Sequence, residues 1–319
     1  METLFGKKQR VNRFRRTDSP RNMRLTERDL NLIRHVAKHR FLTTEQLQAL
    51  DGGSQQNVSR ALRALYDHGY LDRPGAQIAS IVLDGPKPTV HALGKRGAQA
   101  LRERGHKTSS DVDWTEKNKR AGAVFIEHTL ERASFMTAME IGCREKPGIE
   151  LLDASAIIAQ APEPTRRARE PLRWVVERLE RGRKEIFSVV PDGLFGLSFP
   201  DETASYFLLE IDRGTIPLRR TDTYGTAAWR KNIEYKFRTY YEGWRADRHM
   251  KQFGVKQLRV VWVTSSQTRL EHMLELQRDV AGGNGSAFFL FADNDHLRSS
   301  NPLDLEWVNG KGELLNLAA

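Results

Sequence analysis

The chain has 319 residues, 39% of them hydrophobic and 29% charged, with a formal net charge of +10. That length suits two domains, no run approaches the roughly 20 apolar residues of a membrane span, and the single cysteine, Cys143, excludes an intramolecular disulfide and a multi-cysteine zinc site. The basic excess favours a polyanionic partner. The basic N-terminus lacks the apolar core of a secretory signal, so a cytoplasmic protein with no membrane contact is expected.

Residues 1–24 hold Lys7, Lys8, Arg10, Arg13, Arg15, Arg16, Arg21 and Arg24 against only Glu2 and Asp18. They read as a flexible basic arm that follows phosphates or enters a minor groove, or equally as a solvated tail. Residues 25–106 form the first expected domain. Thr26 opens a helix whose apolar face is Leu30, Ile33, Val36 and Ala37 and which ends near His39-Arg40. Thr43 or Thr44 caps a short helix over Glu45–Leu50, and Asp51-Gly52-Gly53 is a turn.

The stretch Ser54–His68 follows. Val58, Ala61, Leu62 and Leu65 recur at helical spacing and make one apolar stripe. Gln55, Gln56, Ser59, Arg60 and Arg63 fall on the other faces. Those groups suit base edges and phosphates, since Gln pairs with adenine and Arg with guanine. Ser54 is the expected N-cap and Gly69 the stop. Tyr70-Leu71 starts an extended piece. Ile78–Leu83, the turn Asp84–Pro88 and Thr89–Leu93 read as a β-hairpin with Lys87 at its tip, and Gly94–Arg104 as a closing helix. Three helices followed by a hairpin make a winged helix-turn-helix. Double-stranded DNA is the expected partner, bound through Gln55, Gln56, Ser59, Arg60 and Arg63, with Lys87, Arg13, Arg15 and Arg16 on phosphates. Dimerisation on paired half-sites would follow from that fold.

Residues 107–117 read as a charged linker and 118–319 as a second, α/β domain. A long helix spans about 118–144 and includes Glu127. Ile149–Ile158 reads as a strand, 162–171 as irregular, and Trp174–Leu179 and Glu185–Val190 as strands around Arg181-Gly182. Then come a strand through Val189–Leu197 carrying Pro191-Asp192, a strand Ser205–Asp212, a helix from Ala227 to about Arg248, the strand Leu258–Thr264, a helix Ser266–Val280 and a strand Ala287–Ala292. Strands alternating with helices indicate an α/β core with a mixed sheet.

Asp192, Glu210 and Asp212 are the sharpest chemical signal. Glu210 and Asp212 are two apart on one strand and share a face. Three converging carboxylates would suit Mg²⁺ or Mn²⁺, which would activate water on a phosphodiester. The competing reading is a structural network in which Arg213, Arg219 and Arg220 neutralise the acids.

Helix, strands, Pro191-Asp192, Glu210-Ile211-Asp212, helix and strand in this order resemble the PD-(D/E)xK nuclease fold. That resemblance implies a metal held by Asp192, Glu210 and Asp212, with Glu127 as an extra acid. Asp212 stands where that family has its lysine, and Lys231 or Lys236 on the next helix is a substitute. Over about residues 25–280 the chain also resembles the replication-relaxation family of mobile-element proteins. The resemblance rests on Tyr70-Leu71, Val90–Leu93 before Gly97, Glu127-His128, Pro191-Asp192-Gly193 and Glu210–Thr215. It implies a DNA-binding accessory role in plasmid or integrative-element replication, mobilisation or DNA relaxation, with a relaxase or replication protein as partner. A Mg²⁺-dependent endonuclease or nickase is the first alternative. A winged-helix transcription regulator or protein-interaction adaptor is the second. No His-x-x-x-His pair has zinc spacing, Gly282–Gly285 lacks the lysine of a P-loop, and Tyr240, Tyr241 and Trp244 read as core.

Overall fold

A computed structural model describes residues 12–78, 85, 87–106, 112–180, 183–219 and 229–318. The chain divides into two compact units, Met1–Thr137 and Ala138–Ala319.

In the first unit, Thr26 and Asp29 form a reciprocal cap that starts α1 (Glu27–His39). The short strand β1 (Phe41–Thr43) runs into α2 (Thr44–Asp51), boxed in the same way by Thr43 and Gln46. Ser54 accepts from the Asn57 amide and starts α3 (Gln55–Asp67). Then come β2 (Leu71–Asp72), β3 (Val90–Leu93) and α4 (Lys95–Arg102). The three strands pair antiparallel in the order β1-β3-β2, with Leu42 opposite His91 and Leu71 opposite Leu93. The first strand of the expected hairpin falls almost wholly on residues 79–84, outside the described residues. Its base is fixed by Gln77, whose side chain donates to the Val90 carbonyl and accepts from the Val90 amide. Helix α4 sits so close to the chain after α3 that a Cβ on Gly97 would lie 2.2 Å from the Tyr70 carbonyl oxygen. Leu32, Ile33, Val36, Leu47, Val58, Leu62, Leu65, Leu71 and Leu93 make the core.

Two expectations about this unit change. Residues 12–24, expected as a free arm, lie along α3. Met23 and Leu25 pack on the core, Tyr66 Oη donates to the Phe14 carbonyl at 2.7 Å, and the Arg21 carbonyl lies 2.9 Å from His68 Nε2. The expected linker contains α5 (Trp114–Lys119), capped by Asp113. Its Asn118 is buried and donates to Asp72 and to the Leu93 carbonyl, which ties the stretch to the first unit. The helix expected over 118–144 is therefore two, broken at 120–122 before α6 (Ala123–Glu145), which runs through the boundary between the units.

In the second unit the expected strand at 149–158 is only β4 (Glu150–Asp153). Asp153 caps α7 (Ala154–Gln160), its side chain accepting from the Ala156 amide. A short α8 (Glu163–Arg167) precedes an antiparallel ribbon, β5 (Trp174–Glu180) and β6 (Arg183–Val189). Pro191, which has no N–H to give, separates β6 from β7 (Gly193–Ser198). After β8 (Ala204–Asp212) a 3₁₀ turn at Trp229–Lys231 and the Asn232 cap lead into α9 (Ile233–Arg245). The expected single helix ends there, and Asp247 in the left-handed region (φ 56°) separates it from α10 (Arg248–Phe253). Strand β9 (Leu258–Thr264), α11 (Gln267–Val280), β10 (Phe289–Asp293), α12 (Asn294–Ser299), β11 (Trp307–Asn309) and β12 (Leu314–Leu315) complete the unit. The seven-stranded sheet has the order β12-β11-β10-β9-β8-β7-β4. Strands β8, β9 and β10 are parallel and the other pairings antiparallel.

Helix α9 fills the core over this sheet. Its Phe237 meets Trp262 of β9 at 4.9 Å and Phe289 of β10 at 5.1 Å between ring centroids. Toward its end Gly243 lets Trp174 of the ribbon approach, and the fully buried indole donates to the Thr239 carbonyl at 3.1 Å. A Cβ at Gly243 would lie 2.1 Å from Trp174 Nε1. The roughly 1 kcal/mol that alanine gains over glycine in a helix is smaller than the cost of displacing a rigid buried ring. Gly243→Ala should therefore destabilise the protein by about 1–3 kcal/mol, read as a lower denaturation midpoint in urea.

Candidate functional site

Helix α3 turns Val58, Leu62 and Leu65 inward, each at most 1% exposed. Gln55, Gln56, Ser59 and Arg60 are exposed. None of these four side chains makes a hydrogen bond or ion pair among the described residues. They sit in the N-terminal half of α3, and each has its polar end open to a ligand.

Arg63 has a different place from the one expected. Its guanidinium pairs with Asp67 at 2.8 Å and donates to the carbonyls of Asn12 and Arg15 and to Thr17 Oγ1. It clasps the N-terminal segment and has no exposed face comparable with that of Arg60. Arg16 is also occupied: it bonds the Tyr66 carbonyl at 2.8 Å, the Leu71 carbonyl at 3.2 Å and the Asp72 carboxylate. Arg15 is exposed beside Asp18 at 3.6 Å. Lys87 is exposed, and its carbonyl accepts from Arg13 at 3.4 Å. Sequence spacing places Arg63 on a polar face. The long-range contact with residues 12–17 that consumes it has no local signature beyond the Arg63–Asp67 spacing.

The second unit holds the acids. Residue Gly193 lies opposite Leu209 in the β7–β8 pairing, which brings Asp192 alongside the end of β8. The Asp192 amide donates to the Leu209 carbonyl, and its carboxylate accepts from the Ile211 amide at 2.8 Å. Glu210 is fully buried. One of its oxygens accepts from Lys236 Nζ at 2.6 Å and the other from Tyr240 Oη at 2.5 Å, both from α9. Of the two lysines expected as substitutes, Lys236 is the one that meets Glu210. Burial pushes Glu210 up to about 7, Lys236 pulling against that rise and Asp192 adding to it. Burial opposes the Lys236 charge, but Glu210, Asp192 and Asp212 outweigh it and hold its pKa above the ordinary value.

Asp212 is engaged elsewhere. Arg269 of α11 grips both its oxygens, at 2.8 and 3.2 Å, and Thr264 Oγ1 donates at 3.1 Å. Among the described residues its ion pair is with Arg269, while Arg219 pairs with Asp279 and Arg220 lies outside the described residues. Among the described residues Asp192, Glu210 and Asp212 form no set of three close enough to share one ion. Glu127 belongs to the first unit, on α6, and lines a small cavity with Gln77 and Lys87. These donors do not fit a three-carboxylate metal centre. Tyr241 stacks on Trp244 at 6.0 Å and Trp244 on Phe288 at 5.2 Å, so that aromatic cluster is core.

A family model described as replication-relaxation matches residues 33–257, more than two thirds of the chain. No curated protein and no solved structure matches.

The Glu210–Lys236 pair generates a pH-dependent prediction. A carboxyl whose folded pKa lies above its unfolded value binds more protons when folded, so its contribution falls as pH rises between the two values. Lys236→Met removes the cation facing Glu210. The expected loss is about 3–5 kcal/mol where the glutamate is ionised and clearly less at pH 5, where the buried carboxyl is held neutral. Urea unfolding of the variant and wild type at pH 5 and pH 8 measures this; equal losses at both would place the pair's value in packing alone.

Proposed function

The chain belongs to the replication-relaxation family, and we propose that it is a double-stranded DNA-binding accessory protein of plasmid or integrative-element replication, mobilisation or DNA relaxation. The observation that carries this reading is the exposed quartet Gln55, Gln56, Ser59 and Arg60 on one side of a helix locked by its opposite face.

The order α1, β1, α2, α3, β2, β3 supports reading the first unit as a winged helix-turn-helix, with α3 as recognition helix. Base contacts in such units come from the N-terminal part of that helix, the half that carries the four exposed groups. Gln55, Gln56 and Arg60 read base edges in the major groove, while Arg15 and Lys87 face phosphates. Arg63 and Arg16 act indirectly, by fixing the N-terminal segment beside α3.

The second unit is nuclease-like in the order of its elements, and its acids are structural in this proposal. Glu210 is satisfied by Lys236 and Tyr240, and Asp212 by Arg269, so the unit serves partner or DNA contacts, with a relaxase or replication protein as the fitting partner.

Fluorescence anisotropy with labelled duplexes tests the reading. Arg60→Ala should cost about 1–3 kcal/mol on a preferred duplex and much less on an unrelated one, and Gln56→Ala should behave likewise. Equal binding of Arg60→Ala and wild type to the preferred duplex would remove α3 as the reader. Supercoiled plasmid incubated with Mg²⁺ or Mn²⁺ should stay intact; nicking that Asp192→Ala abolishes would establish the nuclease instead.

A further inference from the structure

Beside the C-terminal half of α3 the first unit gathers more positive charge than it neutralises. Three guanidinium groups surround the ring of Tyr66: Arg73 at 4.4 Å from the centroid, Arg16 at 5.0 Å and Arg63 at 5.7 Å. Arg13 adjoins them, its carbonyl accepting from Arg73 Nη1. Among the described residues two carboxylates answer this group, and both are committed. Asp67 is held by Arg63 and Thr17. Asp72, 6% exposed, is held by Arg16, Thr115 and Asn118. Neither Arg13 nor Arg73 has an ion pair among the described residues, and Arg73 Nε is buried with no hydrogen-bond partner.

Burial, then the neighbouring Arg63 charge, pushes Arg73 down to about 10, so it stays protonated at neutral pH. A cavity of about 210 Å³ opens here, lined by Arg16, Arg73 and Lys119 with Asp72, Thr115 and Asn118. Lys119 is paired with Glu116 at its rim. Like charges packed around one ring in a part-buried setting repel. A bound oxyanion removes that repulsion and gives the guanidinium donors an acceptor.

We propose that this cavity is a phosphate site in which Arg73, with Arg16 and Lys119 beside it in the lining, takes one backbone phosphate of duplex DNA. The proposal rests on the DNA-binding reading and adds a backbone contact to its base contacts. Because Arg73 also holds the Arg13 carbonyl, the phosphate and the N-terminal segment share one anchor.

Two measurements on the full chain test it. In thermal unfolding at constant ionic strength, exchanging chloride for inorganic phosphate should raise the wild-type midpoint, since a ligand that binds only the folded state stabilises it. Arg73→Gln should lose that rise. In duplex binding over a range of salt, Arg73→Gln should weaken two unrelated sequences equally and lower the slope of log K against log salt by about 1. If Arg73→Gln fails to give a native circular-dichroism spectrum, Lys119→Gln, at a residue that lines the same cavity, replaces it with the same expectations. A variant with the wild-type phosphate response and salt slope overturns the site while leaving α3 as the reader. A phosphate response lost in the variant, in a protein that binds no duplex, overturns the DNA reading and leaves a site for free phosphate.

Discussion

The rotation of α3 about its own axis is the constraint on which the rest depends. Val58, Leu62 and Leu65 are fully buried at helical spacing, and together they leave the helix one way to face. Each fully buried aliphatic side chain contributes about 1.5–3 kcal/mol, so turning the polar face inward would forfeit several such terms and strand Arg60 and two glutamines in the core. Packing therefore sets which side chains stay outside: Gln55, Gln56, Ser59 and Arg60 are those the core rejects. The N-terminal segment completes the arrangement, because Arg63 and Arg16 use their donors on the backbone carbonyls of Asn12, Arg15, Tyr66 and Leu71 and hold basic residues beside the helix.

A second constraint shapes the other unit. Charges at the end of β8 are buried, and burying a charge is costly unless it is paired and hydrogen-bonded. Each acid has its own cationic partner from a different helix, Lys236 from α9 and Arg269 from α11. The pairs fix which residue of each helix meets the strand end. The bonds that satisfy Glu210 and Asp212 occupy lone pairs that a shared metal would need.

Much of this was legible in the sequence where the signal was local. The stripe and the Ser54 cap delimit α3, the apolar run Leu258–Thr264 coincides with β9, and Ser266 caps the helix that follows it. What escaped is non-local or weakly patterned. Arg269 is 57 residues from Asp212, and nothing in its neighbourhood marks it as the partner. Residues 12–24 look disordered by charge because their anchors, Tyr66, Asp67 and Asp72, lie some fifty residues on. The β11–β12 hairpin did carry a signal: Asn309-Gly310 in the tail is a strong turn dipeptide between strands. The sequence offers Lys231 and Lys236 alike; Lys231 falls in the 3₁₀ turn and Lys236 on α9, where the β8–α9 crossing closes the 26-residue separation from Glu210.

We propose that α3 enters the major groove of duplex DNA. Site-directed photocrosslinking tests it most directly, with a photoreactive residue placed at position 56 and, as a control, at position 38 on α1. The account predicts crosslinks to bases of the duplex from position 56 and none from position 38. Crosslinking from 38 and not 56, with binding intact, would contradict it.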